Sequence, residues 1–228
     1  MRGKDKTGMD LKYAVQGIIG CILFGIGDWL LGFVDPGEIK EDVFYFLSAG
    51  HGAGYPDWKI KATLALAVVG VMFLQQGFVH ISDLMKEEKD KAGAARVFTF
   101  LTYAWLIIHF AVTIIVFVYS YTSRTVTYEQ AVLLSNALDK IFDPCILIAY
   151  LILVISLMDL VIVIARGRTV LKRTDAFLTP LTWIVLIGAV SMILPNSPFS
   201  KGLYTFCMNG GMIIWFTTML FKKHPNDK

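Results

Sequence analysis

Three polar side chains interrupt long apolar stretches of this sequence, namely Asp28, His109 and Asn209. A carboxyl group and an imidazole can each give or take a proton, and a carboxamide can both donate and accept hydrogen bonds. In a bilayer an ionisable group costs about 3 kcal/mol or more unless it faces protein or water. These residues therefore predict an intramembrane polar site that can bind a polar group or act as a general acid or base.

Orientation and depth connect Asp28 with Asn209. On a helix, Asp28 shares one face with Gly17, Cys21 and Gly32, and small residues on a face let a neighbouring helix approach closely. Helical rise places Asp28 and Asn209 about 9 to 10 Å below the same membrane surface, with the histidine of the third apolar stretch about two turns deeper. We therefore expect the three side chains to share one pocket, provided that the first, third and sixth helices adjoin.

Other residues are weaker candidates for the same chemistry. His51 lies in a glycine-rich turn and Trp29 adjoins the buried carboxylate, so both are candidates for the pocket wall. In the inner membrane half, His80 and Asp83 recur at helical spacing in the second span, and Asp159 does so with Ser156 in the fourth. His80, Asp83 and Asp159 are candidates for a proton path, or else for ordinary polar groups near the interface. No metal-ligand, nucleotide or nucleophile motif occurs, so the sequence predicts no metal and no cofactor.

The composition sets the physical environment in which these residues act. Of 228 residues 56% are hydrophobic, and the mean hydropathy is +0.61, which is typical of a polytopic membrane protein. The charged residues are bunched between apolar runs and no segment is left for a soluble domain, so residues 1–228 are interpreted as one integral membrane domain. The lipid bilayer is the predicted partner, and the absence of a basic and aromatic patch argues against nucleic acid.

The chain is predicted to be all-α, a bundle of six transmembrane helices. The predicted spans are approximately 12–34, 61–84, 96–121, 144–165, 177–195 and 203–221. Two longer connections are predicted to carry short amphipathic helices on the outer side, one over residues 38–47 and one that begins with a capping box at Thr127. Asp143 and Pro144 are then expected to act as N-cap and first residue of the fourth span.

The distribution of basic residues predicts the topology. Fifteen of the 21 lysine and arginine residues lie in the two termini and in the second and fourth connections, whereas six lie in the other three connections. Because positive residues are retained on the cytoplasmic side, both termini are expected to be cytoplasmic. The predicted location is the cell (cytoplasmic) membrane.

Four short segments resemble an uncharacterised group of bacterial six-span integral membrane proteins. They are residues 27–32 (Gly-Asp-Trp-Leu-Leu-Gly), His109, residues 179–181 (Thr-Pro-Leu) and residues 209–210 (Asn-Gly). The resemblance covers nearly the whole chain. It implies the six-span fold and the membrane setting, and it implies no activity.

Three functions fit these observations. The first is an outward-facing intramembrane pocket that binds or acts on an amphiphile or lipid-like small molecule. The second is a small proton-coupled transporter, and the third is a partner or scaffold subunit whose polar residues only hold helices together. The sequence does not decide among them, and it leaves open the ligand, the oligomeric state and whether the protein is an enzyme.

Overall fold

A computed structural model describes residues 11–33, 56–85, 92–169 and 171–221 of the chain. These ranges form α1 (Leu11–Gly32), α2 (Asp57–Met85), α3 (Ala92–Thr122), α4 (Tyr128–Ala165), a 3-10 helix (Arg173–Leu178), α5 (Pro180–Ile193) and α6 (Pro198–Phe221). Within these described ranges, six stretches are long and apolar enough to cross a membrane, the fifth with the 3-10 helix included. The predicted all-α, six-helix bundle is confirmed. The predicted outer helix over residues 38–47, and His51, lie outside the described residues.

Helix α1 runs between α2 and α6 and has its most extensive contacts with these two helices. Glycines make the approach to α2 close. A Cβ atom on Gly17 would lie 2.9 Å from Cα of Gly77, and one on Gly70 would lie 2.8 Å from the backbone nitrogen of Phe24. Close packing of this kind is a main attraction between helices in lipid, because the surrounding chains are as apolar as the side chains.

The remaining helices extend from this central group. Helix α5 packs against α6, and α3 packs against both α2 and α4, whereas α4 and α5 touch over only a small area. Large apolar side chains fill the bundle where α1, α2, α3 and α6 meet. Fully buried examples are Phe24, Leu74, Phe98, Trp215 and Phe216.

Contacts at one end of the bundle tie three helices together. The Lys59 ammonium group is largely buried and donates a 2.7 Å hydrogen bond to the carbonyl oxygen of Phe33, just after the end of α1. A cation at this position interacts favourably with the partial negative charge of a helix C-terminus. Nearby, Arg124 pairs with Asp57 at the start of α2.

Helix α4 is longer than predicted. The prediction of a separate amphipathic helix followed by a new N-terminus at Asp143 and Pro144 is wrong, because one helix runs over Tyr128–Ala165. The capping box at its start is confirmed. The Thr127 hydroxyl accepts a hydrogen bond from the N–H of Gln130, and the Gln130 side chain accepts one from the N–H of Thr127.

Pro144 does not end α4 because it lies on the exposed side of the helix. A proline inside a helix deprives the carbonyl group four residues earlier, here that of Lys140, of its N–H partner. Both residues are exposed. The freed carbonyl oxygen can therefore accept hydrogen bonds from water or lipid headgroups, and the helix continues.

The first part of α4 turns some of its large apolar side chains inward and leaves others exposed. Leu134 and Leu138 pack against a small buried cluster that includes Tyr119 of α3. Leu133 and Ile141 of the same segment are 68% and 60% exposed. The inward face of this segment is therefore narrow.

Candidate functional site

Asp28 lies one turn before the end of α1, on the side that faces α6. Gly25 lets α6 approach here, because a Cβ atom at this position would lie 2.9 Å from Cβ of Asn209. Asn209 is only 2% exposed, and its Nδ2 donates a 2.7 Å hydrogen bond to Oδ2 of Asp28. The hydroxyl of Thr205 donates a 2.9 Å hydrogen bond to the backbone carbonyl oxygen of Asp28. Helix α6 thus holds both the side chain and the backbone of Asp28.

His109 of α3 approaches the same carboxyl group. Its Nε2 lies 3.7 Å from Oδ1 of Asp28, which is near enough for electrostatic attraction but longer than a hydrogen bond. The imidazole is packed between aromatic rings, with centroid distances of 4.8 Å to Phe24 and 5.0 Å to Trp105. One turn along α3, the hydroxyl of Thr113 donates a hydrogen bond to the carbonyl oxygen of His109.

The structure thus brings the side chains of Asp28, His109 and Asn209 together. The way in which they meet differs from the expectation of three adjoining helices. Helix α1 packs far more closely on α2 and α6 than on α3. The side chain of His109 therefore extends from α3, between the rings of Phe24 and Trp105, to the carboxyl group of Asp28 on α1.

A cavity of about 290 Å³ lies beside this cluster, with walls contributed by α1, α3, α4, α5 and α6. The side chains of Asp28 and His109 retain exposed fractions of 12% and 21%, and both line the cavity. Most of the wall is apolar. Its apolar side chains include Leu31, Val112, Leu153, Leu157, Ile184 and Met208.

One side of the cavity is open. Tyr150 and Val154 of α4 line it and are nevertheless 38% and 44% exposed. On α5, Gly188 also lines the cavity, and a Cβ atom there would meet no atom within 4 Å. Helices α4 and α5 both line the cavity but touch over only a small area. Together with the exposure of Tyr150 and Val154, this indicates an opening between the two helices, on the surface that a bilayer would cover.

In this cluster the carboxyl group of Asp28, a hydrogen-bond acceptor that Asn209 already holds in place, lies beside the imidazole of His109. One oxygen of Asp28 is bonded to Asn209, while the other lies near His109 and the cavity. Such an arrangement can accept hydrogen bonds from a polar group in the cavity or exchange a proton with it.

Comparison with known sequences identifies a family for this chain. The sequence profile of DUF6796, described as a family of unknown function, matches residues 4–224. The chain belongs to the DUF6796 family. No curated protein and no solved structure matches it. The predicted resemblance to an uncharacterised membrane protein family over nearly the whole chain is therefore confirmed, and membership of DUF6796 brings no activity with it.

The other candidate residues that the structure describes are not part of the cavity wall. Trp29 instead packs edge-on against Phe199 of α6, with ring centroids 5.4 Å apart. His80 is buried between helices, and neither it nor Asp83 or Asp159 lines the cavity. Within the described parts of the chain, no group of three or more His, Cys, Asp or Glu side chains is arranged to hold a metal ion.

Three further side chains of the cavity wall were not predicted from the sequence, namely Tyr150, Tyr204 and Cys207. Tyr150 has only apolar residues three and four positions before and after it, so helical spacing does not mark the direction in which it faces. Tyr204 follows two polar residues at that spacing, Ser200 and Lys201, but these lie near the start of α6. Tyrosine is equally typical of packed cores and of membrane interfaces, so its presence does not indicate a cavity.

Proposed function

We propose that this protein binds an amphiphile within the membrane, with the polar headgroup at Asp28 and His109 and an apolar chain along the cavity. The observation that supports the proposal is one polar cluster on an otherwise apolar cavity wall. Ligand sites typically combine apolar walls with a few placed polar groups. An amphiphile has the same division between a polar end and an apolar remainder.

The size and the opening of the cavity support the same choice. Small-molecule sites measure about 300 to 1,000 Å³, and a cavity of about 290 Å³ lies at the lower end of that range. A cavity of this size suits a single acyl or alkyl chain, or part of a lipid, rather than a whole lipid with two acyl chains. A sideways opening at Tyr150 and Val154 suits a molecule that is already dissolved in the bilayer.

The distribution of basic residues predicts the leaflet from which the ligand would come. With both termini cytoplasmic, Asp28 lies in the outer half of the membrane, so the ligand would come from the outer leaflet. We do not extend the proposal to proton transport, because Asp83 and Asp159 lie apart from the cavity wall.

Photolabelling tests the proposal. The purified protein in phosphatidylcholine nanodiscs is exposed to a dodecanol analogue with a photoreactive group on its chain, and labelled residues are located by mass spectrometry. We expect saturable labelling of the wall positions on α3, α4, α5 and α6. Unlabelled dodecanol should compete with it.

Two alanine-to-tryptophan variants provide a matched control. Ala149 is 7% exposed and lines the cavity, whereas Ala111 is exposed on α3 and is not part of the wall. Ala149→Trp should fill the cavity and weaken saturable labelling more than about tenfold, equal to ~1.4 kcal/mol of binding free energy. Ala111→Trp should leave it unchanged. Labelling that rises linearly with probe and is equal in both variants would refute the pocket and favour a scaffold role.

A further inference from the structure

Deepening the proposed function, on which this step rests, we infer that the bound amphiphile carries a protonated amine as its headgroup. The inference follows from the charges, the available acceptor and the aromatic rings of the cavity wall. Each of these features is present among the side chains that surround Asp28.

The wall offers no permanent positive charge that would neutralise an anion. Among its described residues it contains Asp28 and His109 but no lysine or arginine. With the carboxyl group ionised, the pair carries one negative charge when His109 is neutral and no net charge when it is protonated. Neither state attracts an anionic headgroup. The first attracts a cation, and more strongly in an apolar cavity than in water.

The geometry at Asp28 provides a place for an ammonium group. Oδ2 accepts the 2.7 Å hydrogen bond from Asn209, whereas Oδ1 lies 3.7 Å from His109 Nε2. That distance is longer than a hydrogen bond, and each carboxylate oxygen has two lone pairs. Oδ1 can therefore accept a hydrogen bond from an N–H group in the cavity while the contact with Asn209 is kept.

Aromatic side chains on the same wall favour a cation further. Trp105, Tyr150 and Tyr204 line the cavity together with Asp28. The faces of tryptophan and tyrosine attract cations within about 6 Å of the ring centroid. An alkylammonium headgroup can use both the carboxylate and the rings, an alcohol can use only the hydrogen bond, and a carboxylic acid anion is repelled by Asp28.

Competition among three ligands of equal chain length tests the headgroup. Dodecylamine, dodecanol and dodecanoate compete at neutral pH with the photoreactive dodecanol analogue in phosphatidylcholine nanodiscs, and the membrane-bound amount of each competitor is measured. We expect dodecylamine to compete at an at least about tenfold lower membrane concentration than dodecanol. Dodecanoate should compete least.

Two carboxylate-to-amide variants separate the site from general charge effects. Asp28→Asn keeps a hydrogen-bonding group but removes the charge, so dodecylamine should lose its advantage and compete as dodecanol does. Asp159→Asn changes a carboxyl group of α4 that is not part of the wall, and the advantage should remain.

The outcomes distinguish this inference from the function on which it rests. The amine headgroup is wrong if dodecanoate competes as well as dodecylamine, or if the amine keeps its advantage in Asp28→Asn. In both cases saturable labelling would still support an amphiphile pocket. If no competitor reduces labelling and labelling does not saturate, the pocket itself is refuted together with its headgroup.

Discussion

Replacing Asp28 with leucine removes the acceptor of a buried interhelical hydrogen bond. Asn209 is 2% exposed and donates at 2.7 Å, so its N–H would be left in a place that water does not reach. A buried unsatisfied donor costs about 1–3 kcal/mol, whereas interhelical hydrogen bonds in membranes average ~0.6 and reach ~1.7 kcal/mol. We therefore expect Asp28→Leu to lower the free energy of unfolding by about 1–2 kcal/mol. Asp28→Asn should cost less, because its carboxamide oxygen can still accept.

A double-mutant cycle measures this contribution directly. Asp28→Leu, Asn209→Leu and the double variant are unfolded reversibly in mixed micelles of mild detergent and dodecyl sulfate. The double variant should cost less than the sum of the single variants by about 1 kcal/mol, since it leaves neither polar partner unpaired. The Thr205 hydroxyl bonds to the backbone of position 28, so that contact is available in every form. Additivity within about 0.5 kcal/mol would refute an energetically significant bond.

Two further predictions concern packing and topology. A Cβ atom on Gly17 would lie 2.9 Å from a backbone atom of α2, so Gly17→Ala should destabilise the protein by about 1–3 kcal/mol. At Gly188 a Cβ atom would meet nothing within 4 Å, so Gly188→Ala should stabilise α5 by about 0.5–1 kcal/mol. Equal melting temperatures for the Gly17→Ala and Gly188→Ala variants would contradict both expectations. In a background without the native cysteines, a thiol introduced at Glu129 should react with an impermeant maleimide in intact cells, and one at Lys89 should not. The reverse pattern would place the Asp28 end of α1 on the cytoplasmic side.

The pairing of Asp28 with Asn209 could be predicted because the depth of a residue in the membrane and the direction of its side chain are both properties of its own helix. Helical rise fixes the depth of each residue once the ends of a span are known approximately. Small residues such as Gly17 and Gly32 mark the side on which a neighbouring helix can approach. Depth and direction together were sufficient to select two residues that are 181 positions apart in the chain.

The rest of the site depends on which helices adjoin, and a single sequence does not contain that information. Trp29 follows Asp28 directly, but a rotation of about 100° per residue turns its ring away from the cavity and onto Phe199, at the start of α6. Tyr150 and Tyr204 become wall residues only because α4 and α6 leave a space between them. The continuity of α4 was missed for a different reason. A proline is usually tolerated best at a helix start, and the exposure that makes Pro144 acceptable is a property of the folded bundle.

If the protein binds an amphiphile as proposed, the gap between Tyr150 of α4 and Gly188 of α5 decides whether the site samples the ligand concentration of the bilayer or that of the water. A molecule that enters there comes from the lipid phase, where an amphiphile is enriched by partitioning far above its aqueous level. Occupancy would then follow the mole fraction of the ligand in the bilayer. Dilution with buffer would scarcely change it, whereas added empty vesicles would lower it by drawing the ligand away. The affinity of such a site is therefore a property of membrane composition, and cells could change its occupancy by altering the amount of lipid as well as the amount of ligand.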